Sequence, residues 1–301
     1  MTPELAICRD RATMITAGRA RVGVVIPPDY HDKRLHGSGA KILVLIDGSD
    51  STVSAQALAA INGLVATQNL AAITKSAGTA SAVPAPPLSA QPIVLFNLDG
   101  RTASYIIPGL VAILLQIVAT LLTAVAVVRV RERERGTLEQ LLVTPINPLG
   151  LMLGKLAPYL FIGLFEMAGI LTAMRFGFGV PIRGNLLFLF GMAIVYLFAL
   201  LSMGLFISTR AATQAQAPQM AQFLILPSIF LSGYIFPSAG LPIVLWAIGR
   251  VLPATHMVEI MRGVVLRDAG PMELLPSVLS LMAMSILLVW ASVRRFQKVT
   301  L

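Results

Sequence analysis

The segment RVRERERGTLEQLLVTP, residues 129–145, separates two long apolar runs of this chain. Arginine and glutamate alternate in its first part, and a glycine and a threonine then interrupt the charges. Leu138, Leu141 and Leu142 follow at i, i+3 and i+4, so they share one face of a short helix. Pro145 ends that helix. Between two membrane spans, such an element is either a solvated tether or a docking element that passes force from a soluble partner to the spans.

The composition is that of a membrane protein. The 301 residues are 56% hydrophobic and 12% charged, whereas soluble domains carry about a quarter charged residues. The formal net charge of +9 therefore indicates contact with anionic lipid headgroups and no binding of nucleic acid. The single cysteine, Cys8, excludes an internal disulfide and a multi-cysteine metal site.

Residues 1–100 are predicted to form a small α/β domain. Residues 22–26 and 41–46 have the β-branched composition of strands, and the second run ends at an Asp-Gly turn. Asp50 or Ser51 can cap a helix that continues to about Gln68. Residues 71–92 are rich in alanine, serine and proline without periodicity, which predicts a linker.

The remaining residues, 101–301, carry apolar runs near the roughly 20 residues that a membrane span needs. The predicted spans are 105–128, 156–174, 186–208, 217–236 and 277–293. Residues 241–266 hold two shorter apolar pieces, which predict a re-entrant segment of short helices. The predicted fold is an α-helical integral membrane protein with about five transmembrane helices, short re-entrant or extracytoplasmic helices and a small N-terminal extracytoplasmic α/β domain.

The basic residues predict the orientation of the spans. The loop at 129–155, Arg210 and the C-terminal tail with Arg294 hold more arginine and lysine than the opposite loops, so this side is predicted to be cytoplasmic. Residues 1–100 then lie outside, although their first ten residues have no apolar core of a signal peptide. We therefore expect a further transmembrane helix upstream, lost through a misassigned start codon or a truncation.

Several motifs occur in order and together resemble the permease subunit of bacterial type-2 ABC exporters. These are ERERGTLEQLLVTP (132–145), LGKLAPY (153–159), ISTRAATQAQA (207–217), LPSIFLSGYIFP (226–237) and PATHMVEIMRG (253–263). VIPPDY (25–30) and VLIDGSD (44–50) resemble the extracytoplasmic domain that such permeases insert between their first and second spans. The family's first span and the segment before it are not matched in residues 1–301, and we expect them upstream.

The resemblance implies a multi-pass permease in the bacterial inner membrane, with a cytoplasmic C-terminus. Two permeases, identical or different, would pair, and each would dock a separate ATPase that binds ATP and Mg. This chain would then hold no cofactor and would not be an enzyme. A periplasmic adaptor is a further candidate partner. The resemblance assigns ATPase coupling to Arg131, Glu132, Arg133, Glu134, Arg135, Gly136, Thr137, Leu138, Glu139, Leu141 and Leu142.

Polar residues inside the predicted spans are candidates for the substrate pathway. Glu166 is a carboxylate in the second span, and an ionisable residue there is costly unless it is paired. Gln116 and Gln222 are weaker candidates of the same kind. The alternative for all three is a hydrogen bond to a neighbouring helix, and for Glu166 also a place near an aqueous cavity. The implied substrate is a drug, a lipid or another amphipathic molecule that leaves the cytoplasm or the inner leaflet.

Pro237, His256, Glu259 and Arg262 are the candidates for an extracytoplasmic gate. His256 and Glu259 are three residues apart on a helix that also carries Arg262. This spacing is not that of a HExxH zinc site and no third ligand is evident, so no metal is predicted. The segment GLMLGKL (150–156) lacks the spacing of an ATP-binding P-loop. The energy for transport must come from a partner or from an ion gradient.

Two other classes of protein remain open. An ion-driven secondary transporter would need paired intramembrane carboxylates or an inverted repeat, and the sequence offers one carboxylate and no clear repeat. A membrane-anchored periplasmic binding or assembly protein would work through residues 1–100 and use its spans as a scaffold.

Overall fold

The structure is a computed structural model. It describes residues 14–16, 20–35, 39–49, 51–76, 88–96, 102–126, 148–208, 210–211, 213, 215–236 and 240–300. The segment predicted to couple to an ATPase, 129–145, lies outside these residues, as does Pro237. The chain divides into two compact units, Met1–Tyr105 and Ile106–Leu301.

The first unit contains a three-stranded sheet. Its elements are β1 (Val22–Val25), α1 (Tyr30–Leu35), β2 (Ala40–Asp47), α2 (Ser51–Ser76) and β3 (Leu88–Leu95). The strand order is β1-β2-β3; β1 pairs antiparallel with β2, and β2 pairs parallel with β3. Helix α2 lies in the crossover that a parallel pair requires. The central strand β2 supplies the buried Val44, Leu45 and Ile46.

The prediction of a linker over residues 71–92 is wrong at both ends. Helix α2 continues to Ser76, and β3 begins at Leu88. The Asn69 side chain fixes this register, because it donates to the Leu88 carbonyl at 2.9 Å and accepts from the Leu88 N–H at 3.0 Å. Pro92 weakens the strand pattern, but β3 is an edge strand, where the missing N–H is tolerated.

The second unit is helical. Its elements are α3 (Thr102–Ala126), which begins within the last residues of the first unit, α4 (Pro148–Phe176), α5 (Leu186–Ser208), α6 (Gln216–Leu231), α7 (Ile243–Arg250), α8 (Pro253–Arg267) and α9 (Leu275–Thr300). Among the described residues, α3, α4, α5 and α9 are long and apolar enough to cross a membrane. Helices α7 and α8, bent by 84°, would give a fifth span if counted as one. The chain is therefore a mostly helical membrane protein with an N-terminal α/β region.

Three of these helices run in the same direction. Tyr196 Oη of α5 donates to the Ala112 carbonyl of α3 at 3.2 Å. Further along both helices, a Cβ on Gly204 would lie 2.7 Å from Thr123 Cβ, so only glycine allows this close approach. Helix α9 follows the same course. Its start lies at α8, where Ser277 Oγ donates to Glu259 Oε2, as the start of α5 does through Gly184, and further along Ser292 Oγ donates to the Ser202 carbonyl at 2.7 Å. The C-terminal parts of α3, α5 and α9 therefore lie at one end of the bundle.

The helix boundaries differ from the predicted ones where proline and glycine act. The predicted span 217–236 is a helix of 16 residues that ends at Leu231, because Gly233 adopts a left-handed φ of +80°. Pro148 begins α4, as proline often does at the first helical position. Pro253 likewise begins α8.

Candidate functional site

Helix α8 is buried although it carries four ionisable side chains. All of its 15 residues are buried except Glu259 and Arg262, which are half-buried. Polar and charged groups in such a position need protein partners, because burial removes their water. The partners of His256, Glu259 and Arg262 lie on α7, on α9 and in the segment that follows α6, so α8 connects these parts of the chain.

Arg262 binds the backbone where α6 ends. Its Nη1 donates to the Gly233 carbonyl at 2.8 Å, and its Nη2 donates to the Tyr234 carbonyl at 2.9 Å. The left-handed turn at Gly233 directs these two carbonyls away from a continuing helix. The planar guanidinium can satisfy both at once, which an ammonium group cannot do in the same geometry.

A glycine of α3 makes room for this contact. A Cβ built on Gly109 would lie 2.9 Å from Tyr234 Cδ2 and 3.2 Å from Arg262 Nη2. Both distances are shorter than ordinary van der Waals contact, so the site accepts no larger residue without a shift. Helix α3 therefore packs directly against the contact between α6 and α8.

Glu259 joins α8 to two further helices. Its Oε2 accepts a hydrogen bond from Ser277 Oγ of α9 at 2.7 Å and lies 3.3 Å from Arg250 Nη1 of α7. The Arg250 and Glu259 side chains are 37% and 42% exposed. An ion pair this open contributes less than about 1 kcal/mol, so its main effect is to position α7.

The bend between α7 and α8 is closed by side chains of α8. Thr255 Oγ1 donates to the Gly249 carbonyl at 2.6 Å, and His256 Nε2 donates to the Arg250 carbonyl at 3.0 Å. Gly249 in turn lies against the end of α6, because a Cβ there would be 2.6 Å from the Leu231 carbonyl oxygen. We call the region formed by 231–236, α7 and α8 the α6–α8 corner.

The link between α4 and α5 lies against the same helix. The Arg183 N–H donates to the Val265 carbonyl at 3.1 Å. A Cβ on Gly184 would lie 2.4 Å from the Val264 carbonyl oxygen. Since this link precedes α5, the α6–α8 corner lies at the end of the bundle where α5 begins, opposite the C-terminal ends of α3, α5 and α9.

The predicted pathway residues lie on three different helices. Gln116 is buried on α3, and its Nε2 donates to Ser228 Oγ of α6 at 2.8 Å. This residue therefore makes the hydrogen bond to a neighbouring helix that was the alternative to a role in the pathway. Gln222 is exposed on α6. Glu166 is half-buried on α4, and its Oε2 is buried without a hydrogen-bond partner in the described part of the chain.

Of the predicted gate residues, His256, Glu259 and Arg262 come together at the α6–α8 corner, each with its own partner. Sequence reasoning missed Arg250, Ser277 and Gly109. Arg250 offered a weak signal, since it stands four residues after Trp246 and can cover the indole ring. The partners of Arg262 are backbone carbonyls, which no residue pattern marks.

Comparison with known proteins gives a consistent result. The profile of the ABC-2 family transporter protein matches residues 12–294. The probable multidrug ABC transporter permease YbhS of Escherichia coli K12 is 34% identical over 284 residues, which are 93% of this chain and 74% of the relative. The permease YbhR of the same organism is 32% identical over 174 residues, 58% of this chain and 46% of that protein.

A third relative spans almost the whole chain. The inner membrane transport permease YhhJ of Escherichia coli K12 is 29% identical over 300 residues, 99% of this chain and 78% of its own length. The match to the family profile covers both the sheet-containing unit and the helical unit. The chain belongs to the ABC-2 family of transporter proteins and is a membrane permease subunit of an ABC exporter.

Proposed function

We propose that this permease moves an amphipathic substrate, a drug or a lipid, out of the cytoplasm or the inner leaflet, and that a separate ATPase subunit supplies the energy. The proposal rests on the family, whose permeases normally pair with an ABC ATPase, and on relatives whose names describe multidrug permeases. A second permease subunit, identical or related, completes the pathway. A periplasmic adaptor is a further partner to test.

The direction of the helices supports the proposed orientation. Helices α3, α5 and α9 end on the same side of the bundle. In the sequence, Arg129 follows α3, Arg210 follows α5, and Arg294 lies near the end of α9. Arginine and lysine gather on the cytoplasmic side of bacterial membrane proteins. This side, with the C-terminus, is therefore cytoplasmic in our proposal, and residues 1–100 and the α6–α8 corner lie outside, in the periplasm.

Residues 129–145 follow α3 and precede α4 on the proposed cytoplasmic side. We assign the contact with the ATPase to the charged run and leucine face of this segment, residues 131–142. Arginine and glutamate can set the register with a partner, and the leucines can fill a small apolar pocket on it. Movement of this segment would reach α3 and α4 directly, because it is the covalent link between them.

The α6–α8 corner acts as the outer gate in this proposal. The observation that carries it is the double hydrogen bond from Arg262 to the Gly233 and Tyr234 carbonyls, which fastens the broken end of α6 to the buried α8. Gly109 of α3 touches this contact. A tilt of α3, driven from the cytoplasmic side, would therefore change the packing around Arg262 and release α6 from α8.

Glu166 is the proposed polar contact for substrate within the membrane. Its Oε2 is buried without a partner among the described residues, and a carboxylate in a span gains much from a partner. A positively charged or hydrogen-bond-donating group of the substrate could supply one. Gln116 is left out of this role, since its amide already binds Ser228.

Reconstitution with the candidate ATPase tests the proposed function. The full chain is purified from detergent-solubilised membranes, and the measurements are co-purification of the ATPase, ATPase activity and ATP-dependent substrate movement in vesicles. Transport that requires ATP hydrolysis supports the proposal. Transport that survives ATP depletion but stops when the proton gradient is dissipated would favour a secondary transporter. Binding of a periplasmic protein without any transport would favour the assembly protein.

A further inference from the structure

Helix α7 exposes apolar side chains on nearly all its sides. Ile243 and Val244 are 74% and 65% exposed, and Leu245, Trp246 and Ile248 are exposed as well. Within this helix, Gly249 is buried and Arg250 is half-buried. A surface helix of a soluble protein would carry polar residues on its outer face. The outer face of α7 is therefore covered by something apolar.

The length of α7 excludes a crossing of the membrane by this helix alone. Eight residues rise about 12 Å, whereas the hydrocarbon core is about 30 Å thick. The chain then turns by 84° into α8, which is buried among protein side chains. A short apolar helix of this kind, attached to a membrane bundle, fits the boundary between headgroups and acyl chains.

One pair of side chains on α7, Trp246 and Arg250, is of the kind found at the boundary between headgroups and acyl chains. The guanidinium carbon of Arg250 lies 5.4 Å from the ring centroid of Trp246. Tryptophan concentrates at membrane interfaces because its ring is apolar and its N–H needs a partner. One edge of this guanidinium faces Glu259, and its remaining N–H donors can bind lipid phosphates, to which guanidinium groups bind strongly.

Two similar pairs lie towards the other end of the bundle. Arg210 covers Phe206 near the end of α5 at 5.3 Å, and Arg294 covers Trp290 on α9 at 4.1 Å. Each arginine follows its aromatic residue by four positions, as in α7. Tryptophan is enriched in both headgroup layers of membrane proteins, and an arginine beside an aromatic ring near a helix end can reach the lipid phosphates. The α7 pair therefore belongs to the opposite layer from the other two.

We propose that α7 is an interfacial helix that binds phospholipid. It lies in the headgroup layer on the side of the α6–α8 corner, with Trp246 at the acyl-chain boundary and Arg250 towards the phosphates. Phospholipid is the occupant because the exposed apolar side chains continue from α7 onto the adjacent end of α6 and the segment that follows it, at Phe230 and Phe236, and because the one cation of α7 suits an anionic headgroup. This proposal goes beyond the outer gate and does not depend on it.

The contacts of α7 connect this lipid surface to buried protein. Arg250 pairs with Glu259 of α8, and the Gly249 carbonyl accepts from Thr255 of α8. Gly249 also lies against the Leu231 carbonyl at the end of α6. The lipid layer therefore holds the α6–α8 corner in place through α7.

Tryptophan fluorescence tests this proposal, because the chain contains two tryptophans. The variant Trp290→Phe leaves Trp246 as the single reporter, and the matched variant Trp246→Phe leaves Trp290. The full chain is reconstituted in vesicles that contain lipids brominated near the headgroup or near the end of the acyl chain. We expect Trp246 to lose more fluorescence with the shallow bromine than with the deep one, and to lie roughly 15 Å from the bilayer centre.

A spin label on Ile243 gives a second measurement of the same depth. It uses Ile243→Cys in a Cys8→Ser background and compares relaxation by oxygen with relaxation by a water-soluble nickel chelate. Strongest quenching by deep bromine would overturn the proposal and make α7 part of a bent span. Quenching by aqueous iodide alone would place α7 in water. Protection from lipid and from water alike would show that a second copy or another protein covers the helix.

Discussion

Arg262 of α8 and Gly233, which follows the end of α6, are joined by a 2.8 Å hydrogen bond from Nη1 to the backbone carbonyl. The same guanidinium binds the Tyr234 carbonyl at 2.9 Å. A hydrogen bond to a charged group contributes about 1.5–3 kcal/mol. The pair of bonds is therefore strong enough to decide whether the α6–α8 corner is closed.

We expect Arg262→Gln to open the α6–α8 corner, because the shorter neutral amide cannot reach both carbonyls. Loss of one charged hydrogen bond, about 1.5–3 kcal/mol, corresponds to a rise of roughly tenfold or more in the open fraction. The measurement is the rate at which a membrane-impermeant thiol reagent labels Tyr234→Cys in a Cys8→Ser background. ATP-dependent transport should fall in parallel.

Arg262→Lys is the matched control for charge. Lysine keeps the positive charge but lacks the planar fork that reaches two carbonyls, so its labelling rate should lie between those of the parent and Arg262→Gln. A lysine variant equal to the parent would show that charge alone matters at this position. Unchanged labelling in both variants would show that the hydrogen bonds from Arg262 to the Gly233 and Tyr234 carbonyls do not hold the corner closed.

Gly109→Ala should destabilise the protein and loosen the same corner. The added Cβ would lie 2.9 Å from Tyr234 Cδ2 and 3.2 Å from Arg262 Nη2, which is itself fixed by a hydrogen bond. Overpacking of this kind costs about 1–3 kcal/mol. The measurement is thermal unfolding in detergent, together with the labelling assay at position 234.

Gly191→Ala in α5 is the control for Gly109→Ala, because no atom lies within 4 Å of the Cβ it would add. Alanine in a helix is otherwise more stable than glycine by about 0.5–1 kcal/mol. The two substitutions should therefore change the unfolding temperature in opposite directions. A rise for Gly109→Ala would contradict the close packing of α3 against the α6–α8 corner.

Composition and the lengths of the apolar runs were sufficient to predict a helical membrane protein, since the spans must satisfy their backbone internally. The strand β3 could not be predicted in the same way. Its pairing with β2 depends on a long crossover and on the Asn69 side chain, and Pro92 obscures its pattern. Distant contacts of this kind leave little trace in local periodicity.

Some features of the candidate site could be predicted from the sequence, and others could not. His256, Glu259 and Arg262 could be selected because charged residues near apolar segments are unusual. The burial of α8 could not be foreseen, since its charges would suggest an exposed helix. The helix can be buried because Arg262 and His256 donate hydrogen bonds to backbone carbonyls. Glu259 accepts a hydrogen bond from Ser277, which lies on a helix later in the chain.

Glu134→Arg should uncouple the permease from its ATPase, because it reverses one charge in the proposed docking segment and leaves the spans unaltered. We expect less ATPase to co-purify from membranes and ATP-dependent transport to fall. The matched charge reversal is Asp29→Arg in the first unit, where the carboxylate pairs with Lys33 at an exposed site. Equal loss of the ATPase in both variants would show a general defect and contradict specific docking.

Glu166→Gln should impair transport of a lipophilic cation more than transport of a neutral amphiphile. Glutamine keeps the size and hydrogen bonding of the side chain but removes the charge that a buried, unpartnered Oε2 offers to a cation. The measurement compares ATP-dependent movement of tetraphenylphosphonium with that of a neutral fluorescent lipid in the same vesicles. Glu166→Leu, which also removes hydrogen bonding, should slow the neutral amphiphile as well if that molecule carries a donor.

Equal transport rates for the parent and both variants would show that Glu166 is not part of the substrate pathway. If the transport defect of the Glu166 variants appears only when a proton gradient is present, the carboxylate would instead be assigned to proton transfer.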